Sequence, residues 1–419
     1  MKRTLNILVG VAVFAFMGAC TVGEGAMGGA MGGAMGGDGM APMFEVDPLW
    51  PQPLPNHWLL GPTIGITVDS RDHIWIVHRN TENQFVMNTE IGLVAGVSEC
   101  CQPGPPVMEF DQDGNLVSSF GGPSAMGEYE WPLSNHGIEI DNMDNIWIGG
   151  NGGSDSHILK FSRDGTFLQQ FGHAGARAAG MDGERELFES GSNDPVSFGR
   201  VAKLSLDAEA NELFVADGYL NKRVVVLDAA DGSFKRYWGA YGNVPNDEEG
   251  RMLGRYTPGE TPPPQFRGPV HCAEPSNDGL VYVCDRAADR IQVFQKDGTF
   301  VNEVIISPAT LSQGSTWDIA FSRDDAQTYL YLADGQNMKV YIMLRETMEV
   351  LTSFGDGGRQ PGLFFAVHSI ATDSDGNIYT TETYEGSRVQ KFVYLGMGPI
   401  PSANQGALWP GETHTYGGM

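Results

Sequence analysis

Short segments in which apolar and polar residues alternate recur along the chain. Two of them read HGIEIDNMDNIWI over 136–148 and HSIATDSDGNIYT over 368–380. Such alternation is typical of half-buried β-strands, and the Asp, Asn and Gly residues between the apolar runs are typical of hairpin turns. Because no long apolar stripe with the period of a helix competes with this pattern, the sequence predicts an all-β protein.

The alternating segments belong to a unit that occurs six times. The units span residues 65–122, 136–173, 201–239, 271–301, 317–343 and 368–394. Each unit has room for about four strands, which is typical of the blades of a radial propeller, so we predict a six-bladed β-propeller. We expect segment 44–64 or the C-terminal tail to add the strand that closes the ring. We expect the insertions at 80–106, 174–198 and 240–267 to be loops that serve function.

The N-terminus has the features of a bacterial export signal. Lys2 and Arg3 precede an apolar run over 5–17, and small residues stand directly before Cys20, as in the lipidation motif of lipoproteins. The alternative is an ordinary signal peptide with an incidental cysteine. We expect an exported lipoprotein, anchored to the bacterial outer membrane through Cys20 and facing the periplasm or the cell surface.

A Gly-rich and Met-rich tract, TVGEGAMGGAMGGAMGGDGMAPM, follows over 21–43. It has too few apolar side chains to offset the entropy of ordering, so we expect a disordered, flexible tether. The predicted organisation is a lipoprotein signal peptide at 1–20, a linker at 21–43, a propeller catalytic domain at 44–394 and a C-terminal tail at 395–419.

Composition narrows the range of partners. The 419 residues include 26 Lys and Arg against 52 Asp and Glu, a formal net charge of −26. A chain this acidic would repel a phosphate backbone, so we expect no nucleic-acid partner. With 41% hydrophobic residues, the chain can bury a sizeable core.

Four cysteines remain after Cys20. Cys272 and Cys284 flank the turn signal Asn-Asp-Gly at 277–279, which would place them opposite each other on paired strands. Export implies an oxidising compartment, so we predict a disulfide between them. For the adjacent Cys100 and Cys101, the sequence leaves open whether they pair or stay reduced.

Three histidines fall on alternate units. The position five residues before the turn Asp is occupied, in units one to six, by Ile64, His136, Ala202, His271, Trp317 and His368. The first strand of a blade lines the axial channel, so equivalent positions on blades two, four and six form a triangle around the axis. Three converging imidazoles with a fourth position open favour catalytic zinc. The alternative is that each histidine satisfies a local hydrogen bond.

Two arginines and a tyrosine are expected to overlook this triangle. The end of the second strand returns to the same face, and Arg79, Tyr219 and Arg286 lie there in units one, three and four. Arginines suit a substrate carboxylate, and nearby positive charge would favour the phenolate form of Tyr219 as a general base. The alternatives are Arg–Asp pairs that stabilise blades and an exposed turn aromatic.

The segments IVHR over 76–79, DGYLNKR over 217–223 and DRAADRIQ over 285–292 resemble the peptidyl-α-hydroxyglycine α-amidating lyase family, a propeller family of the NHL-repeat type. The resemblance implies that His136, His271 and His368 bind zinc. It further implies that Tyr219 is the catalytic base, that Arg79 assists catalysis near the metal, and that Arg286 binds substrate. The implied reaction splits a carbinolamide into an amide and glyoxylate.

The chain also departs from that family. The family's structural calcium is held by main-chain carbonyls at positions like Ile66 and Ile138 and by an Asp directly after the third histidine. That residue is Ser369 here, which leaves calcium open. Residues 21–60 are too few for a copper monooxygenase, so the hydroxylated substrate is expected from elsewhere. It could be a peptide or a ureidoglycolate-like small molecule with a carboxylate.

Two other functional classes compete with the zinc lyase. A non-catalytic NHL-repeat propeller would bind a protein or another surface partner through its loops, but it would need no histidines on alternate blades. A lactone hydrolase of the gluconolactonase kind uses carboxylate and Asn ligands, and Asp and Glu are missing from all six equivalent positions.

Overall fold

The computed structural model describes residues 39–80, 100–176, 191–254 and 257–411. In chain order the strands are β1 (Met40–Asp47), β2 (Trp58–Leu59), β3 (Thr63–Val68), β4 (Ile74–His78), β5 (Gln102–Pro103), β6 (Val107–Phe110), β7 (Leu116–Phe120), β8 (Asn135–Ile140), β9 (Ile146–Gly150), β10 (His157–Phe161), β11 (Phe167–Gly172), β12 (Lys203–Asp207), β13 (Glu212–Asp217), β14 (Arg223–Asp228), β15 (Phe234–Trp238), β16 (Val270–Pro275), β17 (Leu280–Asp285), β18 (Arg290–Gln295), β19 (Phe300–Ile305), β20 (Asp318–Phe321), β21 (Tyr329–Asp334), β22 (Lys339–Leu344), β23 (Glu349–Phe354), β24 (Val367–Thr372), β25 (Ile378–Glu382) and β26 (Arg388–Pro399). Helical structure comprises 3-10 turns at Pro55–His57, Gly191–Asn193, Ala240–Gly242 and Arg286–Ala288 and the short helix α1 (Asp247–Met252).

These strands form six four-stranded antiparallel sheets, the blades of a propeller. Blade one contains β3, β4, β6 and β7, blades two to five contain β8–β11, β12–β15, β16–β19 and β20–β23, and blade six contains β24–β26 with β1. The first strands of the blades, β3, β8, β12, β16, β20 and β24, contact one another in that order, and β24 contacts β3. The six-bladed ring predicted from the repeats is confirmed.

The repeated turn motif has a structural explanation. Asp69 accepts a hydrogen bond from the indole N–H of Trp75, and Asp141 accepts one from Trp147, both at 3.0 Å. Each Asp also accepts main-chain N–H groups of its own turn. In blades one, two and six the turn carboxylate thus holds the aromatic residue six positions later, which fixes the spacing between the turn and the second strand.

Blade six closes the ring with chain from both ends of the described body. β1 pairs antiparallel with β26, from Met40 opposite Pro399 to Asp47 opposite Lys391. The N-terminal segment therefore supplies the closing strand, which begins at Met40, before the expected segment 44–64, and pairs with β26 as far as Pro399. Pro42 and the glycines of β26 interrupt the alternating pattern there, whereas backbone pairing needs no alternation of side chains.

The insertions contain some regular structure. Within 80–106, β5 pairs in parallel with β2, and the insertion at 240–267 contains α1. The predicted signal peptide at 1–20 with Cys20, most of the linker and the end of the tail lie outside the described residues. Among the residues that the structure describes, no helix is both long and apolar enough to cross a bilayer.

Candidate metal centre

The three predicted histidines are the second residues of innermost strands β8, β16 and β24. At each of these points the pairing register with the second strand of the blade shifts. A shift of this kind leaves the local residue out of the regular ladder and redirects its side chain. The irregularity therefore turns His136, His271 and His368 away from their blades.

The structure brings the three imidazoles together on the axis. Their ring centroids lie 5.2 Å apart for His136 and His271, 4.8 Å for His136 and His368, and 4.9 Å for His271 and His368. One ring nitrogen from each lies within 4.8 Å of the others, and all three residues are buried. The triangle expected from the alignment of blades two, four and six is thus present.

The other ring nitrogen of each histidine is fixed by the next blade. The Nδ1 atoms lie 2.6 Å from the Ala202 carbonyl for His136, 2.5 Å from the Trp317 carbonyl for His271 and 2.9 Å from the Ile64 carbonyl for His368. A carbonyl can only accept, so each Nδ1 carries the proton. The Nε2 lone pairs are then available to a metal, as in zinc sites whose ligands are oriented by a second hydrogen bond.

The protonation of the triad agrees with this arrangement. Burial lowers the pKa of all three imidazoles well below the usual 6.5, and the charges of Arg79 and Arg286 lower the pKa of His136 and His368 further. Neutral imidazole is the form that binds a metal ion. The three nitrogen donors, the burial of the histidines and an open side of the triad together fit a zinc ion.

Tyr219 lies directly beside the triad. Its hydroxyl oxygen is 2.9 Å from Nε2 of His136 and 3.1 Å from Nε2 of His271, and it accepts a hydrogen bond from Nη1 of Arg286 at 3.2 Å. The side chain is only partly exposed and packs against the buried core between blades three and four. The alternative of an exposed turn aromatic was therefore wrong.

Arg79 reaches the same face from blade one. Its Nη2 donates to Oδ1 of Asn151 at 3.1 Å, and burial lowers the pKa of its guanidinium. Among the described residues, no carboxylate lies within ion-pair distance of Arg79 or Arg286. The alternative interpretation of these arginines as partners of Asp residues is thus not supported there. By contrast, Arg223 and Arg290 pair with Asp217 and Asp285 at 2.8 and 2.7 Å.

A second layer of polar side chains, which the sequence analysis missed, lies further along the same inner strands. The Lys203 ammonium of blade three pairs with Asp318 of blade five at 2.6 Å and with Glu274 of blade four. Blades three and five are not neighbours, so the first of these pairs crosses the channel. Asp318 also accepts the main-chain N–H of Ile370 in blade six at 3.1 Å.

Glu139 completes this axial layer. It accepts hydrogen bonds from the Thr67 hydroxyl of blade one at 2.7 Å and from the Leu206 N–H of blade three at 3.3 Å. Burial raises its pKa to about 7 and raises that of Asp318 to about 6. We name Lys203, Glu139, Glu274 and Asp318 the lysine layer. A cavity of about 580 Å³ adjoins it at the ends of the inner strands.

Ser369 and the lysine layer concern the calcium site that the sequence left open. Ser369, which follows the third histidine, offers no carboxylate, and its main-chain N–H donates to the Thr381 hydroxyl at 3.1 Å. The cation that pairs with the nearby carboxylates of Glu274 and Asp318 is the Lys203 ammonium. In another acidic cluster, Asp69 and Glu109 both pair with the Arg163 guanidinium.

Both cysteine pairs are disulfides. Cys272 and Cys284 stand directly opposite each other on β16 and β17, with Cα atoms 4.9 Å apart, as the turn between them predicted. Cys100 and Cys101 are joined to each other, which answers the question that the sequence left open. The first pair links the strand that carries His271 to the strand that precedes Arg286.

Similarity to known proteins is distant. No family model matches the chain. It is 24% identical to peptidyl-glycine alpha-amidating monooxygenase B of Xenopus laevis over 265 residues, 61% of this chain and 26% of that protein. It is 23% identical to NHL repeat-containing protein 3 of Mus musculus over 317 residues, 74% of this chain and 70% of that protein. The chain thus spans about a quarter of the length of the amidating relative.

Solved structures resemble the chain in fold alone. A structural genomics protein of unknown function from Bacteroides thetaiotaomicron superposes with a TM-score of 0.51 at 11% identity, covering 84% of this chain and 76% of that one. A streptogramin B lyase structure gives a TM-score of 0.46 at 11% identity, covering 85% and 98%. The six-bladed propeller therefore has weak sequence similarity both to amidating enzymes and to NHL-repeat proteins.

Proposed function

We propose that this protein is a zinc-dependent lyase that cleaves an N-acyl α-hydroxyglycine to an amide and glyoxylate. One observation carries the proposal. Three axial imidazoles direct ring nitrogens to one point, and beside them lie a phenol and a guanidinium that has no carboxylate partner among the described residues. A scaffold that only binds through its loops needs none of these groups.

His136, His271 and His368 would hold the zinc ion. When bound, such an ion supplies Lewis acidity that lowers the pKa of a hydroxyl group and polarises a carbonyl. The carbonyls of Ala202, Trp317 and Ile64 keep the imidazoles in the tautomer that binds metal. The ring of blades thereby sets the ligand geometry before any substrate arrives.

The chain's own residues then account for the proton movement. The Tyr219 oxygen accepts the proton of the substrate hydroxyl. As the C–O bond becomes a carbonyl, the C–N bond breaks and its electron pair goes to the amide nitrogen. The same proton returns from Tyr219 to that nitrogen, so the products are the amide and glyoxylate with no net gain or loss of protons.

The two arginines bind and stabilise negative charge. Arg286, which already donates to the Tyr219 oxygen, would bind the substrate carboxylate. Arg79 lies half-buried on the same face and would stabilise the charge that develops on the departing amide. Neither charge is cancelled by an acidic side chain of the described body, so both remain available to the substrate.

The similarity to known proteins supports the proposed lyase and also one alternative function. The similarity to alpha-amidating monooxygenases supports an enzyme. The NHL repeat-containing protein of mouse matches a larger part of this chain, and its name indicates no enzymatic activity, so the alternative is a non-catalytic propeller that binds a surface partner. The acyl group can belong to a peptide or to a urea, since both leave the carbinolamide and carboxylate unchanged.

The deciding experiment measures glyoxylate release by purified protein loaded with zinc. We expect release from an N-acyl α-hydroxyglycine or from ureidoglycolate, loss of release after removal of the metal by a chelator, and recovery with added zinc. No release from either class of substrate by protein shown to contain zinc would contradict the lyase and favour the binding protein.

We further propose that the protein is exported and held at the outer membrane through a lipid on Cys20. The apolar run at 5–17 and the small residues before Cys20 support this. Membrane fractionation of cells that express the full chain should find it with the outer membrane, and Cys20→Ser should release it. An unchanged distribution of the Cys20→Ser variant would refute the anchor.

A further inference from the structure

Arg286 is held in place by aromatic rings. Its guanidinium lies 4.6 Å from the ring centroid of Trp317 and 5.6 Å from that of Tyr219. The residue is 7% exposed, and its Nε has no hydrogen-bond partner within the described chain. The charge therefore lies beside the triad, and no carboxylate of the described residues pairs with it.

A second arginine of the same blade shows the opposite arrangement. Arg290, four residues later, is wholly buried and donates from Nη2 to Asp285 at 2.7 Å. A carboxylate holds an arginine but also cancels its charge, whereas an aromatic face holds a guanidinium and leaves its charge available. Arg286 thus has the support that an anion-binding residue needs, and Arg290 has the support of a structural residue.

Trp317 is itself fixed at three points. Its indole N–H donates a hydrogen bond to the Gly314 carbonyl at 2.7 Å, and its main-chain carbonyl accepts a hydrogen bond from Nδ1 of His271 at 2.5 Å. Its ring centroid lies 5.5 Å from that of His368. Since Trp317 is 1% exposed, its ring cannot turn away from these neighbours without opening the core.

We propose that Trp317 is a positioning residue that aims the Arg286 guanidinium at the carboxylate of the substrate. The proposal rests on the proposed function, because it assigns the carboxylate of that same substrate to Arg286. Trp317 occupies in blade five the position that histidines occupy in blades two, four and six. One ring of six equivalent positions would thus contribute both the metal ligands and the platform for the anion-binding cation.

The test compares a carboxylate substrate with its carboxamide analogue in zinc-loaded protein. We expect Trp317→Leu to raise KM for the carboxylate substrate about 3- to 30-fold with little change in kcat, and to leave KM for the carboxamide unchanged. Trp317→Phe keeps an aromatic face and should retain most of the preference. Arg286→Gln should abolish the preference, and adding Trp317→Leu to it should change nothing more.

Trp238→Leu is the matched control, because Trp238 is also buried but lies on the outer strand β15. It should lower thermal stability without changing the preference for carboxylate. An unchanged preference in Trp317→Leu, or an equal loss in Trp238→Leu, would overturn the proposal.

A second measurement distinguishes a failure of this proposal from a failure of the proposed lyase function. If the wild type releases no glyoxylate, the proposed function fails, and acetate binding to the zinc-loaded protein by calorimetry replaces the kinetic readout. The order of affinity should remain wild type, then Trp317→Phe, then Trp317→Leu and Arg286→Gln. Equal acetate affinity in all four proteins, or no acetate binding by any of them, would refute the role of Trp317.

Discussion

The axial channel contains two layers of polar side chains that differ in one respect. In the histidine triad, every Nδ1 is bonded to a carbonyl while the Nε2 atoms face the centre. In the lysine layer, the Lys203 ammonium pairs with both Glu274 and Asp318, so each of these three charges has a partner of opposite sign. The first layer directs three ring nitrogens to one point beside the Tyr219 hydroxyl, whereas the second consists of side chains that pair with one another.

This contrast separates function from stability on a single set of strands. His271 and Glu274 lie three residues apart on β16, yet one faces the proposed metal and the other faces an ammonium. Polar side chains on the inner strands therefore do not by themselves identify a site, because the lysine layer is also polar, with Asp318 buried and Lys203, Glu139 and Glu274 half-buried. What distinguishes the triad is that ring nitrogens of three histidines converge on one point beside a single hydroxyl, that of Tyr219.

Removal of a metal ligand should have the largest effect. His368→Ala leaves two imidazoles, and the loss of several kcal/mol of charge stabilisation corresponds to a fall of roughly 1000-fold or more in glyoxylate release. The control is His173→Ala, since His173 is exposed and lies outside the triad. Stoichiometric zinc and full activity in His368→Ala would contradict the assignment.

Removal of the Tyr219 hydroxyl should affect catalysis without affecting the metal. Tyr219→Phe should lower kcat by about 100- to 10,000-fold, the usual contribution of a general base, and should leave the zinc content unchanged. Tyr237→Phe is the control, since the Tyr237 hydroxyl donates to Asn193 at 2.9 Å outside the channel. Equal activity of the two variants would remove the proton-transfer role of Tyr219.

Loss of the Lys203 ammonium should affect stability most. Lys203→Met leaves the buried Asp318 and the half-buried Glu274 without a cation, which should lower the free energy of unfolding by about 3–5 kcal/mol in urea titrations. Adding Asp318→Asn to Lys203→Met should recover part of the lost stability. Lys235→Met is the control, because Lys235 pairs with Glu212 at a more exposed position. If Lys203→Met costs no more than Lys235→Met, the lysine layer is not a closed network.

A smaller effect is expected from the pH dependence of stability. Burial raises the pKa of Glu139 to about 7 from the usual 4.5, so the folded protein binds this proton more tightly than the unfolded chain does. The resulting stability is fully present below pH 4.5 and is lost as the pH rises through 7. Between those values the wild type should lose about 1–3 kcal/mol more than Glu139→Gln.

The control for this measurement is Glu128→Gln, because Glu128 is exposed. It should show the same pH dependence as the wild type. Parallel stability curves for the wild type and Glu139→Gln would show that Glu139 ionises in the folded protein as it does in water.

The sequence predicted the ring and the triad because both depend on a short, repeated spacing. The turn Asp and the aromatic residue six positions later recur, and the histidines keep a constant distance from them. The positions of Arg79 and Arg286 could be predicted because the second strand of a blade ends at the face where the first strand begins. The disulfide between Cys272 and Cys284 followed from a single hairpin.

The features that the sequence did not predict depend on contacts between distant parts of the chain. Lys203 and Asp318 are 115 positions apart, and a lysine in an alternating strand normally indicates a solvated face. The contact of Trp317 with Arg286 depends on where two blades meet. β1 begins before the position that the sequence indicated. Its pairing with β26 depends on backbone hydrogen bonds, which leave no apolar pattern in the sequence.

X-ray absorption at the zinc edge of the purified, zinc-loaded protein tests the central claim most directly. The account predicts one zinc ion per chain with three imidazole nitrogens at about 2.0–2.1 Å. It further predicts that this signal is lost in His136→Ala, His271→Ala and His368→Ala alike. A zinc environment without imidazole, or one that survives in any of the three variants, would contradict it.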